Sequence, residues 1–189
     1  NTEWENTYSL GAFGNGRAVI QTQDGGYLYA GWEGIVKADA NGAEEWKNTS
    51  HQNGAYPYYE DVMQHSNGFY YAVGGPGAGQ AQLVKFSEAG SVLTRKWYGG
   101  QCEDDIFRSI VETPDEMLLI VGGKSHGNQS FPCSFNFMYY KDVWIVKTRK
   151  NGGVEWEKTH GGPYMEMAND IAPIKSGGYM LIGNKCAHL

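Results

Sequence analysis

The chain has 189 residues, enough for one ordinary domain or one array of small repeats. Its formal net charge of -6, with no run of Lys or Arg, argues against a nucleic-acid phosphate partner, which would favour a basic stripe. No apolar run approaches the ~18 residues of a membrane span, and 13 Tyr, 6 Trp and 27 Gly point to many short strands and tight turns.

The chain opens at Asn1 without a charged-then-apolar leader, as expected of a processed chain or part of a longer protein. Tryptophans then mark a repeat: Trp4, Trp46, Trp97 and Trp156 begin the runs WENTYSLG, WKNTSHQNG, WYGG and WEKTHGG. After each comes a predicted strand: Gly16–Thr22, Tyr59–His65, Asp105–Thr113 and Asn169–Ile174. A tight turn follows, rich in Asp, Asn and Gly except at Pro114-Asp115-Glu116. Next is a strand closing on Gly: YLYAG, FYYAVGG, MLLIVGG and YMLIG. The following strand has an apolar-Val-Lys core, GIVKAD, QLVKFS and WIVKTR, and a Gly turn leads to the next Trp. Asn151-Gly152 predicts a hairpin with positive φ angles.

Four strands joined by tight turns, repeated about every 40–50 residues, is the pattern of a β-propeller blade. A sheet with two apolar faces cannot bury both alone, and stacking blades around an axis covers both. The Trp is expected to pack between blades. The predicted fold is therefore all-β, one propeller domain over residues 1–189 with four-stranded antiparallel blades. Blade 1 covers 16–50, blade 2 59–98, blade 3 105–160 and a partial blade 4 166–189. Glu3–Tyr8 would supply the outer strand of blade 4 and close a four-bladed ring; the alternative is a segment of a larger propeller. A β-sandwich is the competing fold.

The units DVWIVK…GGVEWEKTHGG, over Asp142–Gly162, and DGGYLYAG, over Asp24–Gly31, resemble the propeller repeats of secreted and surface proteins. The resemblance covers nearly the whole chain. It implies an extracytoplasmic location and an adhesive, scaffolding or carbohydrate-associated role. Pro114-Asp115-Glu116 and the insertion Lys124–Lys141 depart from it.

Alternating strands put all the long loops on one rim, and loops on a rigid scaffold carry function. Trp32, Tyr56, Tyr58, His126, Asn128, Phe131, Tyr139 and Tyr164 fall there among Asn, Gln and Gly. Aromatic rings suit the apolar faces of sugars, and amides suit their hydroxyls. The competing account is that these rings only close loops over the blade ends. Three cysteines share the rim; Cys102–Cys133 is the expected disulfide, with Cys133–Cys186 the other possibility. Asn48 and Asn128 head glycosylation sequons.

GxSxG, HExxH and Walker sequences are missing, and no cofactor or metal-ligand spacing is found. Carboxylates such as Glu60, Asp61, Asp104, Asp105, Glu166 and Asp170 recur near the innermost strands. They suit either glycoside hydrolysis or, the preferred reading, capping of backbone N–H groups between blades. The expected function is non-catalytic: a secreted binding module, lectin-like or protein-recognising. The alternatives are a structural subunit of an extracellular or organellar assembly, homo- or hetero-oligomeric, and a glycosidase-like enzyme.

Overall fold

Apolar–polar alternation becomes fourteen antiparallel strands in the computed structural model, with no helix among the described residues. Those residues are 4–11, 14–49, 57–75, 79–100, 104–126 and 140–186, the side chains of His126 and Tyr140 excepted. The first sheet holds β1 (Gly16–Gln21), β2 (Tyr27–Gly31), β3 (Gly34–Ala38) and β4 (Glu44–Asn48). The second holds β5 (Tyr59–Gln64), β6 (Tyr70–Gly74), β7 (Ala81–Phe86) and β8 (Val92–Tyr98). The third holds β9 (Ile106–Glu112), β10 (Leu118–His126), β11 (Tyr140–Thr148) and β12 (Val154–His160). The fourth, among the described residues, holds β13 (Met165–Pro173) and β14 (Tyr179–Cys186).

Each sheet follows chain order, and the first strands β1, β5, β9 and β13 stand next to one another in sequence. Apolar layers fill the junctions. Leu28, Ala30 and Ile35 meet Tyr59 and Val62 between the first two sheets. Tyr71 and Val73 meet Phe107 and Ile110 between the second and third, with Trp144 and Val146 in the same layer. Leu119 and Val121 meet Ala168 and Ile171 at the third junction. The sheets do not close into a barrel. Of Glu3–Tyr8, expected as the outer strand of the fourth sheet, the described part Trp4–Tyr8 forms no ladder with β14.

The hairpin turns use one geometry. In Asp39–Ala43, Gly42 N–H donates to Asp39 C=O, Asp39 N–H donates to Ala43 C=O, and Gly42 alone takes a left-handed φ of 80°. Ser87–Ser91 and Arg149–Gly153 repeat it. The Asn-Gly pairs thus sit in a type I turn followed by a glycine bulge, and their Asn keeps ordinary φ, contrary to the expected paired positive angles. Where the repeat lacks turn glycine, Glu116 takes φ 55° itself and its carboxylate reaches Lys150 at 2.8 Å.

The apolar-Val-Lys strand ties these turns down. Lys37 is buried, with Nζ 2.9 Å from Asp24 and 2.8 Å from Glu45. Lys147 reaches Asp115 of the equivalent turn at 2.6 Å. The Thr22 hydroxyl, then Lys37, hold the Asp24 carboxyl down at about 2. A depressed carboxyl stabilises the fold above its ordinary value near 3.8, and that stabilisation is lost as pH falls through about 2. Asp24→Asn should therefore lower the urea midpoint at neutral pH, and the difference from wild type should shrink as pH approaches 2. An equal difference at both pH values would rule out this linkage.

The register corrects one equivalence in the repeat. Trp46 lies opposite Lys37 and Trp156 opposite Lys147, but Lys85 faces Thr94 and Trp97 faces Gln82. Trp97 is displaced by an odd number of residues, so it emerges on the other face of its sheet. Where the register holds, Trp does bridge sheets. Trp46 Nε1 donates to Glu88 C=O at 2.9 Å and its ring lies 5.8 Å from Tyr70.

Candidate rim site

Antiparallel order places the β2–β3 and β6–β7 connections, and every link from one sheet to the next, along one rim of the row. Trp32 stands at this rim in the two-residue link between paired Gly31 and Gly34. Its N–H donates to Asn15 C=O at 3.0 Å, and the neighbouring Glu33, at φ 75°, donates to Pro57 C=O at 2.8 Å. These bonds bring Trp32 against Tyr58, edge to face, with ring centroids 5.1 Å apart. The Arg17 guanidinium lies 4.9 Å above the Trp32 ring. The ring is thus half-buried, with Arg17 over one face and Tyr58 at its edge, and is less open than a bare stacking platform.

Below it, each first strand carries a β-bulge at the same register, beside Gly31, Gly74, Gly122 and Gly183 of the second strand. The extra residues are Arg17, Glu60, Arg108 and Asn169. A bulge re-aims a side chain, and here four of them line up along the inner edge. Glu60 joins two of its neighbours, 3.6 Å from Arg17 and 2.9 Å from Arg108. The Trp32 and Arg108 Nε atoms are buried without a hydrogen-bond acceptor among the described residues.

One residue further in, Ser109 Oγ lies 2.9 Å from Asp61 and 2.8 Å from Asp170. A hydroxyl has one proton, so both contacts are hydrogen bonds only when one carboxyl is protonated. Burial pushes the Asp61 carboxyl up, against backbone N–H bonds from Ile110 and Val62, and the Asp170 charge adds to the rise. Asp105 accepts from Gly100 and Ser125 N–H, and Glu166 accepts from Gly162 N–H. These carboxylates therefore bind backbone amides and tie loops and sheets together. This explains the Gly-Gly after the Trp runs. The second glycine donates its amide, and a Cβ on Gly99 or Gly161 would collide with Asp105 or Asp142.

Of the sequence-predicted rim residues, Trp32 and Tyr58 are in contact. Tyr164 is half-buried in the link to β13, on the side of the fourth sheet. Tyr56, Asn128, Phe131, Tyr139, Cys102 and Cys133 lie outside the described residues, as does the His126 side chain, so the Cys102–Cys133 pairing falls there too. Cys186 is free and exposed. Among the described residues no group of His, Cys, Asp and Glu is arranged to hold a metal. Asp39 spends its carboxylate on Asn41 and Ala43 N–H. His65 is buried, accepting from Asn67 N–H at 3.1 Å.

Arg17 and Arg108 escaped the sequence reading. The available signal was a charged or amide residue at the same place in every first strand, just before the apolar core. The opposite rim, formed by the short turns, also has relief. A cleft of about 470 Å³ opens between the turns of the third and fourth sheets, lined by Glu112, Pro114, Ile174 and Tyr179.

No protein-family model and no curated protein matches the chain. Among solved structures it is similar to a crystal structure of a protein of unknown function from Bacteroides caccae, at 16% identity and a TM-score of 0.58. The match covers 92% of this chain and 55% of that one, so the chain spans about half the length of that protein. At this identity the likeness is one of fold.

Proposed function

We propose that the chain is an arc of propeller blades serving as a non-catalytic, extracytoplasmic binding module, with the long-loop rim as its recognition surface. Carbohydrate is the ligand class favoured, with a protein surface the alternative. The observation that carries this is the rim cluster of Trp32, Tyr58 and Arg17 over the Arg17–Glu60–Arg108 ion row. It combines a held aromatic ring, a half-exposed guanidinium and a carboxylate, groups that suit hydroxyl- or carboxylate-bearing sugars. The inner carboxylates are engaged by backbone amides, which favours binding over hydrolysis.

A glycan array should show selective binding. Trp32→Ala should weaken the best ligand by about 2 kcal/mol, the loss typical of an aromatic anchor, measured by calorimetric titration. A silent array, or unchanged affinity in the variant, would sink the carbohydrate reading. A structural-subunit role is the second reading, favoured by the exposed apolar side chains of Val19, Met180 and Ile182.

A further inference from the structure

Of the four arginines, Arg17, Arg108 and Arg149 each reach a carboxylate, at 3.6, 2.9 and 2.8 Å. Arg95 reaches none among the described residues. Its Nη1 donates to Gln82 Oε1 at 2.5 Å and its Nη2 to the Tyr59 hydroxyl at 3.4 Å, both neutral groups. Gln82 and Tyr59 are each 1% exposed, so the guanidinium is anchored on buried side chains. Its Nε is buried without an acceptor. A half-buried charge with only neutral partners is costly, and an arriving anion lowers that cost. Nη1 and Nη2 each keep a second N–H, and a guanidinium presents such donors in a planar fork matched to a carboxylate.

Trp97 lies beside it. Arg95 and Trp97 stand opposite Val84 and Gln82, on the face of β8 turned toward the first sheet, where Val84 shares an apolar layer with Leu28 and Ile35. The odd displacement of Trp97 from the repeat is what puts its ring on the Arg95 face. That ring is 42% exposed, and its centroid lies 5.9 Å from the guanidinium carbon. Gln82 joins the pair to the rim, because its Nε2 donates to Tyr58 C=O at 3.4 Å and Tyr58 packs on Trp32. The first two sheets thus carry two arginine–tryptophan pairs, Arg17 with Trp32 and Arg95 with Trp97, linked through Tyr58 and Gln82. They differ in charge: Glu60 offsets Arg17, and no carboxylate among the described residues offsets Arg95.

We propose that Arg95 and Trp97 form a subsite for an acidic sugar, whose carboxylate binds the guanidinium while the Trp97 ring takes an apolar face of the same pyranose. The proposal rests on the carbohydrate reading of the rim and adds the charge of the ligand to it. In a uronic-acid unit the carboxylate and the apolar ring face belong to one residue, which suits a guanidinium and an indole 5.9 Å apart. The pair also gives the out-of-register Trp97 a use that sheet packing does not.

The test is calorimetric titration with a uronate-containing oligosaccharide and with its carboxyl-reduced, neutral counterpart. The acidic ligand should bind more tightly, and raised salt should weaken it while sparing the neutral one. Arg95→Gln should weaken the acidic ligand about tenfold or more and leave the neutral one unchanged, and Trp97→Ala should weaken both. The salt series and Trp97→Ala, at an exposed ring, read the subsite even if Arg95→Gln fails to fold by circular dichroism. Equal affinity for the two sugars, an acidic preference that survives Arg95→Gln, or tighter binding of a sulfated sugar or an acidic peptide would each overturn the proposal. Neutral-sugar binding that needs Trp32 but neither Arg95 nor Trp97 would overturn this subsite and leave the rim reading standing, whereas no binding of either sugar overturns both.

Discussion

Trp144→Ala should be the most destabilising tryptophan substitution in the chain, costing about 3–5 kcal/mol in urea unfolding. Trp144 is 1% exposed and is among the largest fully buried side chains. Its ring lies 4.9 Å from Phe107, in the layer that joins the second and third sheets. Its Nε1 donates to Glu157 at 3.1 Å, and the Lys124 ammonium sits 4.8 Å from the ring. Glu157 is half-exposed, so water replaces that bond on truncation and the loss is chiefly packing and cavity. Trp97 is 42% exposed and out of register, so Trp97→Ala should cost within about 1 kcal/mol. Equal costs for the two would mean that the Trp repeat, and not the layer between sheets, holds the fold.

That contrast shows what the chain announces and what it conceals. Strand periodicity, turn chemistry and the closing glycines were legible, because each depends on residues within a few positions of one another. The turn at Thr22–Gly26 and the register of Tyr27–Gly31 on β1 follow from such local rules. The importance of Trp144 was not legible. It belongs to no repeated Trp position, and only the packing of two sheets decides that it is buried while Trp156 stays 38% exposed. Trp97 was misread for a related reason: a letter match does not fix register, and a shift of three residues reverses the face.

The candidate site was half legible. Trp32 and Tyr58 fall in loops of one rim, and strand direction alone places them there. Arg17 and Arg108 were missed because their prominence comes from bulges in β1 and β9, which turn a residue that would join the ladder toward Glu60. A bulge leaves little trace in a single sequence. Its trace here is the glycine opposite it, which reads at first as a plain strand terminator.

Gly122→Ala should expose that hidden role, with a cost of about 3 kcal/mol, at the upper end of overpacking. The bulge at Arg108 pushes the Ile106 carbonyl beneath Gly122, and a Cβ there would collide with that oxygen and lie 2.8 Å from Phe107 Cα. Gly31, Gly74 and Gly183 meet the carbonyls of Asn15, Tyr58 and Met167 in the same way. The obstacle is backbone inside a ladder, so relief requires undoing the bulge. That would swing Arg108 off Glu60 and disturb the Ser109 contact with Asp61, one residue along. Gly153→Ala is the matched control, since its Cβ would meet only the Asn151 and Arg149 side-chain ends, and it should cost within about 0.5 kcal/mol. Both are read from the urea midpoint at unchanged slope. If Gly122→Ala is as mild as the control, the closing glycines merely end strands, and the bulges have no part in setting the ion row at the rim.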